Sequence, residues 1–304
     1  MTEPLKIAIV GPTASGKSAL AVAVARRIGG TVVNGDPFQA YRDLPLGTGQ
    51  PREEERGGVP HVGYGVLPLS AEVNPATFGE QVRTWLDCPN PVLVTGSGLY
   101  LRGIWGQLTD MPEVSPALTA KVRRWADLLG GPVLHRYLSA VDPDRAAVLH
   151  PNDRSRIQRA LALHLATGGP ASRLLQGVEH GVPPGWAALL VLPARERQRA
   201  RVAERVRLML AQGWPGEVAR LRAAGLEAEL RRLRPLGYEA LLDGRGRAAG
   251  IIQETQAYAK RQGTFFRNQW PGMPTWDPDG EPLAAALARL GAGPSPSPSG
   301  PLAP

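Results

Sequence analysis

The chain has 304 residues, 43% hydrophobic and 20% charged, the balance of a globular protein with a sizeable core. Its 35 Lys and Arg outweigh 27 Asp and Glu for a net charge of +8, an excess carried by arginine that favours a polyanionic partner. No apolar run of about eighteen residues argues for a membrane span. The opening MTEPLKIAIV has no secretory signal pattern. A single cysteine, Cys88, and five scattered histidines exclude an internal disulfide and a Cys/His zinc site, so a soluble, cytoplasmic protein is expected.

In chain order, LKIAIV at 5–10 predicts a buried strand, 17–29 a helix rich in Ala and Val, and TVVN at 31–34 a second strand. Residues 36–75, rich in Gly and Pro, predict loops with little regular structure. A helix at 76–87 and a strand PVLVTGSG at 91–98 complete a strand–helix–strand–helix–strand pattern, which implies a parallel sheet with right-handed crossovers. From about 110 the pattern turns helical with Pro and Gly punctuation. Its clearest helix spans 154–167, capped by Asn152 or Asp153 and ended by Gly168. WAALLVLPA at 186–194 predicts a further strand, followed by helices at 196–212, 214–224, 235–243 and 249–270. The expected architecture is an α/β, P-loop NTPase-like parallel-sheet core (1–109 and 184–290, with C-terminal helices), a helical insertion domain (110–183) and a disordered tail (291–304, GAGPSPSPSGPLAP).

Ligands of such sheets bind beyond the carboxyl ends of the strands, so GPTASGKS, NGD and TGSG should meet at one site. Gly11, Pro12, Thr13, Ala14, Ser15, Gly16, Lys17 and Ser18 match G-x-x-x-x-G-K-[ST] between a strand and a helix, the loop that in other proteins holds ATP. Backbone N–H groups and the helix N-terminus there face an anion, Lys17 adds a point charge, and the Ser18 hydroxyl suits Mg2+. A nucleotidase also needs a carboxylate at the end of a neighbouring strand, but the strand at 91–95 runs into Thr95-Gly96-Ser97-Gly98. The acid is instead Asp36 in NGDPFQAY, with three open roles: metal binding through water, general base, or turn formation before Pro37. Gln39 and Tyr41, on alternate positions, suit hydrogen bonding to and stacking on a ring. Arg197, Arg201 and Arg205 form one stripe of the helix at 196–212, either a solvated basic face or a source of one arginine for the bound phosphates. NDRSRIQRAL at 152–161 and AYAKRQGTFFRNQW at 257–270 mix basic with amide and ring side chains, as RNA backbones and splayed bases require.

Taken in order, GPTASGKS, Asp-x-x-Gln-x-Tyr, Gly-Ser-Gly-Leu-Tyr, HPNDRSRIQRAL, the R-V-x-x-R-V-x-x-M of Arg201 to Met209, RPLGYEA and AKRQGTFFR resemble the tRNA dimethylallyltransferase family across roughly residues 5–272. The resemblance implies a Mg2+-dependent prenyltransferase whose phosphate loop (11–18), with Arg205, holds the diphosphate of dimethylallyl diphosphate. The acceptor would be N6 of an adenosine beside the tRNA anticodon. It assigns Asp36 as the general base, and Ser97 and Arg205 as further catalytic residues. Contacts to tRNA fall on Asp36, Pro37, Phe38 and Gln39, on Ser155, Arg156, Ile157, Gln158 and Arg159, and on Arg234, Gly237 and Tyr238. Ser18 would face the metal, and the enzyme would act as a monomer away from membranes. The chain departs from the family pattern at Pro37 (usually Ser), Ser97 (usually Thr) and Glu239 (usually basic). Two other readings fit parts of the sequence: a small-molecule or nucleoside kinase, against which the missing strand-end acid counts, and a non-catalytic RNA-binding module, against which the intact Lys17, Ser18 and Asp36 count.

Overall fold

The computed structural model describes residues 6–109, 111–174 and 181–292. Six parallel strands form one sheet: β1 (Lys6–Val10), β2 (Thr31–Asn34), β3 (His61–Val62), β4 (Pro91–Thr95), β5 (Trp186–Val191) and β6 (Thr275–Trp276), in the order β3-β2-β4-β1-β5-β6. Strands buried on both faces need apolar side chains at every position, and KIAIV, PVLV and WAALLV supply them. The pleat then sorts them. Ile7, Ile9, Val92, Val94, Leu189 and Val191 enter one core, covered by Leu20, Ala21 and Val24 of the helix Lys17–Ile28 and by Ala286 of the helix Leu283–Arg289. Ala8, Val10, Leu93, Ala188 and Leu190 enter the other, against Phe78 and Val82 of the helix Pro75–Trp85 and Phe266 of the helix Ala248–Gln269. A third core joins Tyr41 and Leu44, after β2, to Val202, Val206, Trp214, Val218 and Tyr238 of the helices beyond β5.

The chain divides into two compact units, one of Met1–Gly106 with His180–Pro304 and one of Gln107–Glu179, against limits of 110 and 183 read from the sequence. The second unit is helical, with its own core of Val122, Leu134, Leu138, Ile157, Leu161 and Leu163. Its helix Arg154–Thr167 starts at Asp153, whose carboxylate accepts the Arg156 N–H, and stops at Gly168, as its sequence predicts.

Three expectations need correction. Residues 36–75 hold a 3-10 turn (Phe38–Ala40), short helices at Pro45–Thr48 and Glu53–Arg56, and the edge strand β3. The helix expected at 235–243 is only Tyr238–Leu242, and a helix not expected, Glu227–Leu233, precedes it and ends where Arg234 adopts φ 49° ahead of Pro235. The strand expected at 91–98 ends at Thr95, where a short helix, Gly98–Ile104, takes over. Of the tail expected at 291–304, residues 293–304 lie outside the described residues. Among the described residues, no helix is long and apolar enough to cross a membrane.

Candidate active site

Sheet register sets the site. Val10 lies opposite Thr95 and Asn34 opposite Val94, so the chain leaves β1, β2 and β4 side by side at Gly11, Gly35 and Gly96. Cross-bonds lock the three exits: Gly11 N–H donates to Thr95 O (3.3 Å), Gly35 N–H to Val94 O (2.9 Å), and Thr95 Oγ1 to Gly35 O (2.7 Å). Gly11 is required here, since a Cβ would sit 2.4 Å from the Val191 carbonyl oxygen. Ala14 takes the left-handed conformation (φ 58°), uncommon for a residue with a side chain and frequent where a loop is shaped around a ligand. The Ser15 hydroxyl is buried inside the loop without a hydrogen-bond partner.

Beyond the loop lies a cavity lined by Thr13, Ala14, Lys17 and Ser18, by Asp36, Phe38 and Gln39, and by Arg205 with an apolar wall of Val202, Val206, Met209 and Trp214. Lys17, Asp36 and Arg205 are half-buried and act on one another. Burial, helped by Arg205 and opposed by Asp36, pushes the Lys17 ammonium down to about 8. Burial raises the Asp36 carboxyl above its usual value, against the pull of Lys17, of the Phe38 and Gln39 N–H groups and of Arg205. The carboxylate is also fixed in place. Phe38 N–H donates to its Oδ1 (3.0 Å), and Asn34 clasps its backbone on both sides, accepting the Asp36 N–H and donating to the Asp36 carbonyl. The Phe38 bond is the turn among the three roles left open for Asp36, and the raised proton affinity is compatible with a base.

Arg205 reaches the cavity from the helix Arg195–Ala211 and donates to Gly49 O (3.4 Å). Gly49 has φ 65°, and a Cβ there would lie 1.8 Å from the guanidinium, so only glycine leaves Arg205 its place. The stripe is therefore split in role: Arg197 and Arg201 face Asp279 at 3.9 and 2.7 Å, and Arg205 serves the cavity.

Sequence reasoning missed the residues that hold these parts. Gln262, buried in the helix Ala248–Gln269, accepts the Thr13 N–H (2.9 Å) and donates to Gly96 O (2.7 Å). Gln198 donates to Thr13 O (3.2 Å), so both backbone polar groups of Thr13 are held by side-chain amides from two helices. Glu217, also buried, accepts the N–H groups of Leu46 (2.8 Å) and Gly47 (3.3 Å) and the Tyr238 hydroxyl (2.6 Å). Gln39 donates to Thr48 O and Gly49 O, fixing the other end of the same segment. The available signal was a polar residue at a buried helix position, which one sequence reveals only weakly.

Other assigned residues separate. Tyr41 is wholly buried with its hydroxyl on Ala71 O, so it supports the core and does not stack on a ligand. Tyr238 is fully buried edge-on to Trp214 with its hydroxyl on Glu217, and Gly237 packs under the same Trp214. The tRNA contact assigned to them is therefore corrected: their side of the segment is core, and only Arg234 is exposed. In the second unit Ser155, Arg156 and Arg159 are exposed and Gln158 half-buried, whereas Ile157 points into that unit's core and presents nothing to an RNA. Pro37 is buried as the residue that precedes and caps the 3-10 turn. Ser97 stands at the β4 exit, its N–H on Thr95 Oγ1 (3.0 Å), and is not among the cavity-lining side chains.

Comparison with known proteins agrees with this arrangement. Residues 39–269 match the model of the IPP transferase family, and residues 6–62 that of isopentenyl transferases. The chain is 37% identical over 302 residues, 95% of each chain, to a tRNA dimethylallyltransferase of Methylorubrum extorquens. It is 39% identical over 300 residues to one of Methylobacterium radiotolerans, covering 91% of this chain and 94% of that one. Among solved structures, the tRNA delta(2)-isopentenylpyrophosphate transferase of Staphylococcus epidermidis superposes with a TM-score of 0.63 at 27% identity, covering 95% of this chain and 98% of that one. Matched along most of its length, and with a phosphate loop, a fixed carboxylate and a half-buried arginine around one cavity, the chain belongs to the IPP transferase family.

Proposed function

We propose that the protein transfers a dimethylallyl group from dimethylallyl diphosphate to N6 of the adenosine adjacent to the anticodon in tRNA, releasing diphosphate. The observation that carries this reading is one cavity holding Asp36 opposite Lys17 and Arg205. An exocyclic adenine amine is a weak nucleophile, because its lone pair is delocalised into the ring. Asp36 accepts the N6 proton as nitrogen bonds to the allylic carbon. The C–O bond of that carbon breaks, and its electron pair leaves on the diphosphate. Charge growing on that oxygen is stabilised by Lys17, Arg205 and the free N–H groups of the loop. The apolar wall of Val202, Val206 and Met209 excludes water from an electrophile that would otherwise be hydrolysed. The base must leave the anticodon stack to reach Asp36, at a cost of roughly a few kcal/mol that backbone contacts offset.

Mg2+ is the metal this reading calls for. Among the described residues no group of three or more acidic, His or Cys side chains could hold an ion. That fits Mg2+, which keeps its waters and takes one or two protein oxygens beside substrate phosphates. The exposed Ser18 hydroxyl at the cavity supplies one such hard donor. When bound, the ion neutralises charge on the diphosphate.

The test is transfer from labelled dimethylallyl diphosphate to unmodified tRNA without ATP, with Asp36→Ala alongside. Transfer by the natural protein, lost in the variant while tRNA affinity stays within a few-fold, is the expected result. Strict ATP dependence with phosphate passed to a small molecule would replace this reading with a kinase, and near-normal transfer by the variant would remove the general base.

A further inference from the structure

A second cavity adjoins the one that holds Lys17 and Asp36. It measures about 610 Å3 against about 100 Å3 for the site, and Ser18, Arg205 and Met209 line both. Among its other walls Val22, Val32, Leu46 and Leu208 are apolar. The segment 45–49 stands between the two cavities, since Gly47 and Thr48 line the site whereas Pro45, Leu46 and Gly49 line its neighbour. That segment is pinned from both ends. Gln39 donates to Thr48 O and Gly49 O, and Glu217 accepts the N–H groups of Leu46 and Gly47. Met209 completes the partition from the helix Arg195–Ala211: a Cβ on Gly49 would stand 2.9 Å from its terminal methyl, so the end of the thioether reaches the glycine. Half-buried and unbranched, Met209 is the part of the partition that a shorter side chain would open.

We propose that Met209 sets the length of the prenyl donor, closing the site after one five-carbon unit. The proposal rests on the transferase reading. With the diphosphate on Lys17 and Arg205 and the reacting carbon facing Asp36, the tail is left the wall of Val202, Val206 and Met209. These residues stand at i, i+4 and i+7 of one helix and form one strip, with Met209 a turn beyond Arg205. A second isoprene unit following the strip meets the Met209 side chain, and forcing extra carbons into a packed wall is unfavourable. With that side chain cut back, the same unit passes into the second cavity, where Val22, Val32 and Leu46 would cover it. The chemistry is the same for either donor: N6 bonds to the first carbon, its proton goes to Asp36, and the C–O electron pair leaves on the diphosphate. A second anion fits that cavity less well, because Arg52 and Arg56 already face Glu55 and Glu53, each at 3.6 Å.

The experiment compares the natural protein with Met209→Ala, Met209→Val and Met209→Leu, with melting temperature as the check on folding. Unreactive thiolo analogues of dimethylallyl and geranyl diphosphate, five and ten carbons long, are titrated by calorimetry. The natural protein should favour the shorter analogue by about tenfold or more, and Met209→Ala should shift the ratio of the two affinities toward the longer by about tenfold. Met209→Leu, which keeps the bulk, should retain the natural preference. Should Met209→Ala fail to fold, Met209→Val should show the same shift in smaller measure. In the transfer assay with geranyl diphosphate, the shortened variants should yield tRNA carrying a ten-carbon group, read by mass. Equal affinities in the natural protein, or an unaltered ratio in the folded shortened variants, overturns the gate and leaves the transferase reading standing. A shifted ratio in a protein that transfers neither group to tRNA upholds the gate on the donor and overturns the transferase reading.

Discussion

Replacing Gln262 with Leu removes the amide that joins the phosphate loop to the β4 exit while keeping most of the side-chain volume. Gln262 is 7% exposed and makes two hydrogen bonds, accepting from Thr13 N–H at 2.9 Å and donating to Gly96 O at 2.7 Å. Each bond contributes a net 0.5–1.5 kcal/mol or so, and a buried carbonyl left without a donor costs roughly 1–3 kcal/mol. Those terms overlap, and their total is about 2–4 kcal/mol. At roughly 2–4 °C per kcal/mol for a unit of this size, the melting temperature should fall by about 4–16 °C. The functional consequence is separate: with its N–H released, Thr13 no longer fixes the loop, and affinity for inorganic diphosphate by calorimetry should drop about tenfold. Gln262→Glu divides the two bonds. It keeps an acceptor for Thr13 but faces Gly96 O with a carboxylate oxygen and puts an anion next to the diphosphate seat, so its diphosphate affinity should be the lowest of the three. A Gln262→Leu protein that melts within about 1 °C of the natural one and binds diphosphate equally well would refute the clamp.

Two further predictions concern the charges around the loop. Lys17 is held down to about 8, so diphosphate affinity should decline as pH rises through that value, and Lys17→Arg, charged throughout, should lose the decline; the same fall in both proteins would remove Lys17 as its source. In the free protein the same depression has the opposite sign: between about 8 and 10.5 the unfolded chain holds more protons, so stability should rise with pH there, and Lys17→Met should abolish that rise in urea titrations. Gly49→Ala places a methyl 1.8 Å from the Arg205 guanidinium at φ 65°. It should cost about 1–2 kcal/mol of stability and raise the KM for dimethylallyl diphosphate about tenfold, and an unaltered KM would show that Arg205 does not reach the diphosphate.

The sheet was legible because buried parallel strands need apolar side chains on both faces, and KIAIV, TVVN, PVLV and WAALLV have them. The edge strands β3 and β6 were not, since two residues apiece carry no periodicity. The same contrast runs through the site. Lys17, Ser18 and Asp36 were legible, because a loop motif and a strand-end position fix where each one points. Tyr41, Ile157 and Tyr238 were misplaced because burial depends on which face of a short element meets a neighbour distant in sequence, as Tyr238 meets Trp214 and Glu217. Gln262 and Glu217 escaped notice for the complementary reason: their partners, Thr13 and Leu46, lie 249 and 171 residues away.

Those long-range bonds bear on why a phosphate loop can serve a leaving group. In the general phosphate loop, backbone N–H groups cradle the ligand. Here the Thr13 N–H is already taken by Gln262 and the Thr13 carbonyl by Gln198, so that part of the loop is set before any ligand arrives. The two glutamines come from two helices between β5 and β6, one of which also carries Arg205 into the cavity. Loop shape and the third positive group are thus supplied by the same elements, outside the loop motif itself. On the opposite side, Asp36 is fixed by Asn34 and Phe38, through bonds that belong to the β2 exit alone. On the proposed reading, the cradle for the departing anion and the base for the incoming nucleophile come from different strand exits of one sheet. The two sides meet through the Thr95 Oγ1 bond to Gly35 O, yet Gln262 variants should act first on diphosphate affinity and Asp36 variants on turnover.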